Sequence, residues 1–362
     1  MQYLDDYRNN GRIKDLLYAI RRKTTRKWSI MEICGGQTHT IARYRIDEML
    51  PPSIGLVHGP GCPVCVTPTA IIDHALEMAA RPDVIFASFG DMMRVPGSCS
   101  DLLQAKAKGA DVRMMYSPLD AVELAASNPE KEIVFFAVGF ETTAPVHLMA
   151  LQEARRRKLK NFSLLCSLFA VPPAMEAILS QPDNLVDGFL AAGHVCTVTG
   201  NAPYHRLLAQ YQRPIIITGF EPVDLLYGIY LCINQLEQGY ARVQNAYRRA
   251  VSEEGNLPAR QLMDEYLESA TREWRGIGTI SASGFLLKDK FSIFNAALKF
   301  PFSGKTETKK NGEKSCIAGE IMKGKKQVAD CSYFGSDCVP DHPLGAPMVS
   351  DEGVCAAYYK YN

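Results

Sequence analysis

The chain has 362 residues, 47% of them hydrophobic and 22% charged, with a formal net charge of +1. That composition builds globular domains and excludes a disordered, collagenous or supercharged polymer, while the length leaves room for two or three domains. The near-neutral balance argues against a nucleic-acid binder: the basic clusters at 155–160 and 305–326 are broken by Glu, Gly or apolar residues and read as solvated surface.

The opening stretch, MQYLDDYRNNGRIKD, carries acidic residues where a secretory signal places a basic region and then an apolar one, so the expected location is the cytoplasm. Apolar runs such as IVFFAV (133–138) and VDGFLAA (186–192) fall far short of the roughly 18 residues of a membrane span and read as buried strands. In a reducing compartment, eleven cysteines point to metal binding and catalysis rather than a disulfide framework.

From about residue 29 to 220, short apolar runs end in Gly-bearing turns and alternate with helical patterns, which predicts parallel sheets covered by helices. The expected strands are 29–33, 54–58, 84–89, 112–116, 133–138, 163–169, 187–192 and 214–220. Most are continuous rather than alternating, as burial on both faces requires. VIFASFGDMMRVPG (84–97), IVFFAVGFETTAP (133–145) and DGFLAAGHVCTVTG (187–200) repeat one pattern, a strand running into a polar loop with Gly. Two related parallel-sheet α/β domains, over 1–125 and 126–221, account for that repeat. Ligands in such sheets sit at the carboxyl ends of strands, so function is expected in these loops and in those at Cys34 and Cys62.

After Phe220 the texture becomes helical, with Pro222 opening a run to about Glu253 and Pro258 another to about Trp274. From Pro301 onward Gly, Lys, Pro and four cysteines dominate, so residues 222–362 read as a helical connector and a cysteine-rich domain that owes its order to a bound metal centre.

The sharpest local signal is HGPGCPVCVTP, where Cys62 and Cys65 form a C-x-x-C before a helix expected to start at Thr67 and Pro68. The partial positive charge of a helix N-terminus favours thiolates that bind soft metals or cycle through a disulfide. Half of a zinc knuckle is the plainer alternative, weakened because the chain has no second C-x-x-C. Cys34 opens CGGQTH directly after a strand, where a lone cysteine is more often structural, but the paired glycines predict an accessible thiol, with Gln37 and His39 placed to orient or assist a metal and a structural histidine explaining His39 equally well. Glu141, Thr142 and Thr143 offer a carboxylate and two hydroxyls at another strand end for proton handling or hydrogen bonding, although helix capping explains a Thr there equally well. Cys316, Cys331, Cys338 and Cys355 suit zinc or an iron-sulfur cluster, and spacing leaves those two level.

Taken in order, MEICGGQTH, HGPGCPVC, GFETTAP, AGHVCTVTG and CSYFGSDCVPDHPLGAPMVSDEGVCAAYY closely resemble the HypD family of hydrogenase maturation proteins, along almost the whole chain. The resemblance implies a scaffold on which the iron of nickel-iron hydrogenase receives its cyanide and carbon monoxide ligands before delivery to the hydrogenase large-subunit precursor. It implies HypC as a partner sharing the iron and HypE as the source of cyanide. It also implies Cys34 as the iron thiolate, Cys62 and Cys65 as a redox pair, Cys316, Cys331, Cys338 and Cys355 as ligands of a 4Fe-4S cluster, and Glu141, Thr142 and Thr143 as supporting residues around the iron. The chain departs from the family where relatives often carry His and it has Gln37, so no imidazole acts there and His39 does not simply inherit that role. A stand-alone iron-sulfur thiol-disulfide oxidoreductase and a zinc-stabilised interaction protein are the competing expectations.

Overall fold

The computed structural model describes residues 5–304 and 316–361. Residues 305–315, which hold part of the second basic cluster, lie outside them. The fold is α/β and is built on two sheets in which parallel pairing dominates.

The strands are β1 (Trp28–Glu32), β2 (Ile54–His58), β3 (Val84–Ser88), β4 (Val112–Met114), β5 (Glu132–Gly139), β6 (Phe162–Phe169), β7 (Gly188–Ala192), β8 (Ile215–Thr218), β9 (Val243–Asn245), β10 (Leu267–Trp274) and β11 (Gly278–Leu287). One sheet has the order β2-β1-β7-β8-β9 and is parallel throughout. The other runs β10-β11-β6-β5-β3-β4, parallel except for the β10–β11 hairpin and its antiparallel joint to β6. All eight expected strands form. Their apolar residues divide by alternation: on β5, Ile133, Phe135 and Ala137 enter one core, while Val134, Phe136 and Val138 enter another that Met31, Val57, Phe189 and Ile217 of the first sheet share. The two sheets are therefore fused through a common core.

Sheet membership cuts across the divide expected at residues 125 and 126. The chain lays down β1 and β2, builds β3 to β6 in the second sheet, and returns to place β7 beside β1. The repeated strand-and-loop pattern marks units of similar build but carries no information about which sheet each unit joins.

The expected helical connector is also corrected. The helix opened by Pro222 ends at Glu237, closed off by Gly239 in the left-handed region (φ +70°), and the chain then adds β9 to the edge of the first sheet. The helix Leu257–Tyr266 is followed at once by β10, whose exposed Glu268, Ser269, Thr271 and Glu273 hid a strand closed by the buried Trp274. Pairing of β11 with Leu168 and Phe169 of β6 fixes that hairpin, a tertiary contact that local propensity does not report.

After residue 316 the chain forms short helical turns and a last helix, Val354–Tyr361, around Ile321, Val328, Cys338, Met348 and Cys355. Among the described residues no helix is long and apolar enough to cross a membrane.

Candidate functional site

Cys34 leaves β1 in extended conformation and stands at the N-cap of the helix Gly35–Tyr44. Contrary to the expected accessibility it is buried, 2% exposed, because the turn is covered from two sides. A Cβ on Gly61 would run into the backbone of Ile33 and Cys34, and one on Gly35 would run into Glu352. The Gly35 N–H donates to the Gly61 carbonyl at 3.0 Å and the Gly59 N–H to the Glu32 carbonyl at 2.8 Å, so the two glycine-bearing loops lie against each other. Burial pushes the Cys34 thiol up, and the Glu32 and Glu352 charges add to the shift; N–H groups of Gln37 and Gly36 oppose it.

The Gln37 amide donates to the carbonyls of Ala191 (3.3 Å) and Thr218 (3.5 Å), fastening the start of this helix to β7 and β8. His39 meets the Tyr361 hydroxyl at 3.0 Å. The imidazole beside Cys34 is instead His194, whose Nδ1 lies 3.5 Å from Sγ and whose burial holds it down at about 4. Sequence reasoning passed over His194 although it stands in AGHVCTVTG; what places it is the pairing of β7 with β1. Glu32 was missed as well. Fully buried, it accepts the Cys34 N–H at 2.8 Å and the Thr38 hydroxyl, and it faces His58 Nδ1 at 2.7 Å.

Cys62 and Cys65 are joined by a disulfide, with Cα atoms 5.3 Å apart. They bracket a short helix, Pro63–Val66, for which Cys62 is the N-cap, its sulfur accepting the Cys65 N–H at 3.2 Å. The next helix begins at Thr69 rather than at Thr67 and Pro68, since Pro68 holds the preceding Thr67 extended and breaks the two apart. Thr67 turns its hydroxyl to the Pro63 carbonyl (2.8 Å) and to Ser167 (3.0 Å) on β6.

Cys316, Cys331, Cys338 and Cys355 line one small cavity with Phe334, Ile321 and Met348. Cys338 and Cys355 are buried, Cys331 half-buried and Cys316 exposed. The Leu344 N–H donates to the Cys338 sulfur at 3.3 Å, and Gly345 is pressed so close to the Cys316 sulfur that no side chain fits between. Among the described residues no three His, Cys, Asp or Glu side chains converge as ligands of a single ion; the four thiols surround a space instead. Four sulfurs around an apolar hollow, one with a backbone N–H on it, are a donor set for a soft metal or a metal-sulfur group.

The disulfide stands between these two places. Cys65 and Cys316 share a cavity of about 120 Å³ with Arg275, Gly276 and Gly319, while Cys62 and Cys65 border a second hollow with Gly35, Gly61 and Glu352. Burial lowers the Arg275 guanidinium, which stays within electrostatic reach of Cys316.

The GFETTAP loop lies apart. Glu141 is buried, with one oxygen accepting the Val171 N–H at 3.0 Å and the other lacking a hydrogen-bond partner. Burial pushes its carboxyl up to about 7. It lines a cleft of about 560 Å³ with Pro172, Pro203, Arg206 and Phe285 rather than the hollow at Gly35. Thr142 is half-buried with an unpartnered hydroxyl, and Thr143 is exposed with its hydroxyl on the Phe140 carbonyl at 3.3 Å. Tyr204, fully buried, lies within electrostatic reach of both Glu141 and Cys34.

A family model described as HypD, hydrogenase formation hypA family, matches residues 11–362. The chain is 44% identical to the hydrogenase expression/formation protein HupD of Azotobacter chroococcum mcd 1, over 100% of its own length and 97% of that protein. It is 44% identical to the hydrogenase maturation factor HypD of Rhodobacter capsulatus and 42% identical to that of Escherichia coli K12, in each case over 100% of its own length and 98% of the relative.

Proposed function

The chain belongs to the HypD family, whose relatives are hydrogenase maturation factors, and from that premise we propose that it is the scaffold on which an iron atom acquires cyanide and carbon monoxide ligands in the cytoplasm. HypC is the proposed partner that shares the iron, HypE the cyanide donor, and the hydrogenase large-subunit precursor the eventual recipient. Iron is cargo in this reading. Cys34 is its thiolate, a soft ligand suited to low-valent iron with strong-field partners, and His194 is the base adjacent to that sulfur. Gln37 and His39 hold the loop through Ala191, Thr218 and Tyr361 rather than reaching the metal.

Cys316, Cys331, Cys338 and Cys355 would hold a 4Fe-4S cluster, which supplies one-electron transfer when bound. The Cys62–Cys65 disulfide takes two electrons and two protons to become two thiols, and returns them on reforming. One observation carries the proposal: this disulfide borders both the cavity that holds Cys316 and the hollow under Gly35, a position suited to passing reducing equivalents toward Cys34. Glu141 serves the neighbouring cleft, with Thr142 and Thr143 beside it in the same loop and Tyr204 within electrostatic reach of both Glu141 and Cys34.

The test is anaerobic co-purification with HypC followed by infrared spectroscopy in the cyanide and carbon monoxide stretching region. Bands that disappear in Cys34→Ala support the scaffold. An iron-sulfur absorption spectrum without such bands favours the second reading, a thiol-disulfide oxidoreductase acting on another protein, which the formed disulfide also suits.

A further inference from the structure

We infer that Tyr358 and His58 are positioning residues for Cys34, acting through a buried hydrogen-bond chain that ends on the Cys34 backbone. The chain starts at Asp47, which accepts the Tyr358 hydroxyl at 2.7 Å. The Tyr358 oxygen that donates to Asp47 also lies within hydrogen-bond distance of His58 Nε2, 3.0 Å away. On the far side of the ring, Nδ1 meets Glu32 at 2.7 Å. The imidazole thus bridges the Tyr358 oxygen and the Glu32 carboxylate, and its ring stands edge-on to Tyr358 with centroids 5.4 Å apart.

Glu32 is where the chain meets the site. One carboxylate oxygen takes the Cys34 N–H at 2.8 Å and the other takes the Thr38 hydroxyl, one helical turn further on. The same hydroxyl lies 3.3 Å from the Cys34 carbonyl. A single carboxylate therefore fixes the peptide groups around Cys34 and fills the N-terminal end of the helix Gly35–Tyr44, where negative charge is favoured. Its orientation is not free, because His58 holds it, and Tyr358 holds His58. With Glu32 and His58 at 0% and 5% exposed, no water replaces a lost link without opening the core.

Register makes the arrangement necessary rather than incidental. Glu32 and His58 are the last paired residues of β1 and β2, so a carboxylate and an imidazole are set side by side where both strands end. Tyr358 comes from the helix Val354–Tyr361, which also carries Cys355 and is tied directly to the Cys34 helix by Tyr361 and His39. The order of the Cys34 turn consequently depends on the seating of a helix from the far end of the chain. That Cys34 holds iron rests on the scaffold reading; that these residues hold Cys34 does not.

The experiment is performed on the full chain under anaerobic conditions, following iodoacetamide labelling of Cys34 by mass spectrometry, with the exposed Cys99 as internal reference, and amide exchange over residues 34–38. Tyr358→Phe is expected to speed Cys34 labelling roughly tenfold, with faster exchange confined to that segment, and Asp47→Ala to do the same more weakly. Tyr359→Phe, on an exposed ring of the same helix, is expected to change neither. Joining His58→Gln to Tyr358→Phe should add nothing beyond His58→Gln alone, as links in series require. Unaltered labelling in Tyr358→Phe, or acceleration spread evenly over the molecule, overturns the inference. Tyr358→Phe and Asp47→Ala act at the outer end of the chain, so they decide the matter even if His58→Gln fails to fold. Missing cyanide and carbon monoxide bands in the unaltered protein would sink the scaffold reading alone.

Discussion

The Cys34 sulfur lies 3.5 Å from Nδ1 of His194, across the join between β1 and β7. Burial raises the thiol and lowers the imidazole to about 4, so near neutral pH the two meet uncharged, with a nitrogen lone pair available to the thiol hydrogen. Binding of a metal by Cys34 would require that hydrogen to leave, and His194 Nδ1 is the side-chain nitrogen that faces it. His194→Phe keeps a ring against Phe220, whose centroid is 5.3 Å away, but removes the acceptor. On the proposed scaffold reading, iron retained at Cys34 is expected to fall roughly tenfold while the secondary structure holds. Metal analysis and circular dichroism of anaerobically prepared protein check both parts.

Gly61 supports the same turn from the opposite side. An added Cβ would collide with backbone atoms of Ile33 and Cys34, which no rotamer change relieves. Gly61→Ala should cost about 3 kcal/mol and expose the Cys34 thiol. Gly239→Ala is the contrast: its Cβ would meet nothing within 4 Å and only its φ of +70° is strained, so about 1 kcal/mol is expected. Denaturant melts give both values.

How much of this was legible beforehand depended on distance along the chain. The eight strands of the α/β body and the loops at Cys34 and Cys62 announced themselves, since continuous apolar runs ending in glycine are local patterns. Sheet order was not legible, because burial of IVFFAV on both faces says nothing about its neighbours. Glu32 reads in sequence as an acid ending a strand, and becomes a ligand for the Cys34 amide only once β1 and β2 place His58 beside it. Tyr358 was invisible for the same reason. Glu141 reads in sequence as a carboxylate for proton handling or hydrogen bonding at a strand end, and its loop opens on a different cleft from the one at Gly35.

The four-cysteine cavity makes its own demand at Gly345. The Cys316 sulfur occupies the position into which a Cβ on that residue would project. Gly345→Ala should displace Cys316 from the other three thiols and, if these hold the proposed cluster, reduce bound iron and visible absorption by half or more. The two sheets lie outside that cavity, and their far-ultraviolet signal should stay unchanged. Iron quantitation on anaerobic samples, with Gly55→Ala as a control at a glycine of β2 whose Cβ would meet only an ordinary contact at 3.9 Å, separates a local effect from a general one.

Glu141 sets a pH dependence whose direction follows from its burial. Burial pushes its folded carboxyl up to about 7 from the ordinary 4.5, so the fold prefers the neutral acid. A raised acid contributes stability that is fully present below the unfolded value and is lost as pH climbs through the folded one, which puts the loss between about pH 4.5 and 7. The shift corresponds to about 3 kcal/mol as an upper value. Glu141→Gln keeps an acceptor for the Val171 N–H and never ionises. Relative to the unaltered protein it should become more stable as pH rises from 5 to 8, with the difference levelling off above about pH 7. Urea midpoints measured across that range test the sign: a gap between the two proteins that stays constant with pH would show that Glu141 does not resist ionisation in the fold.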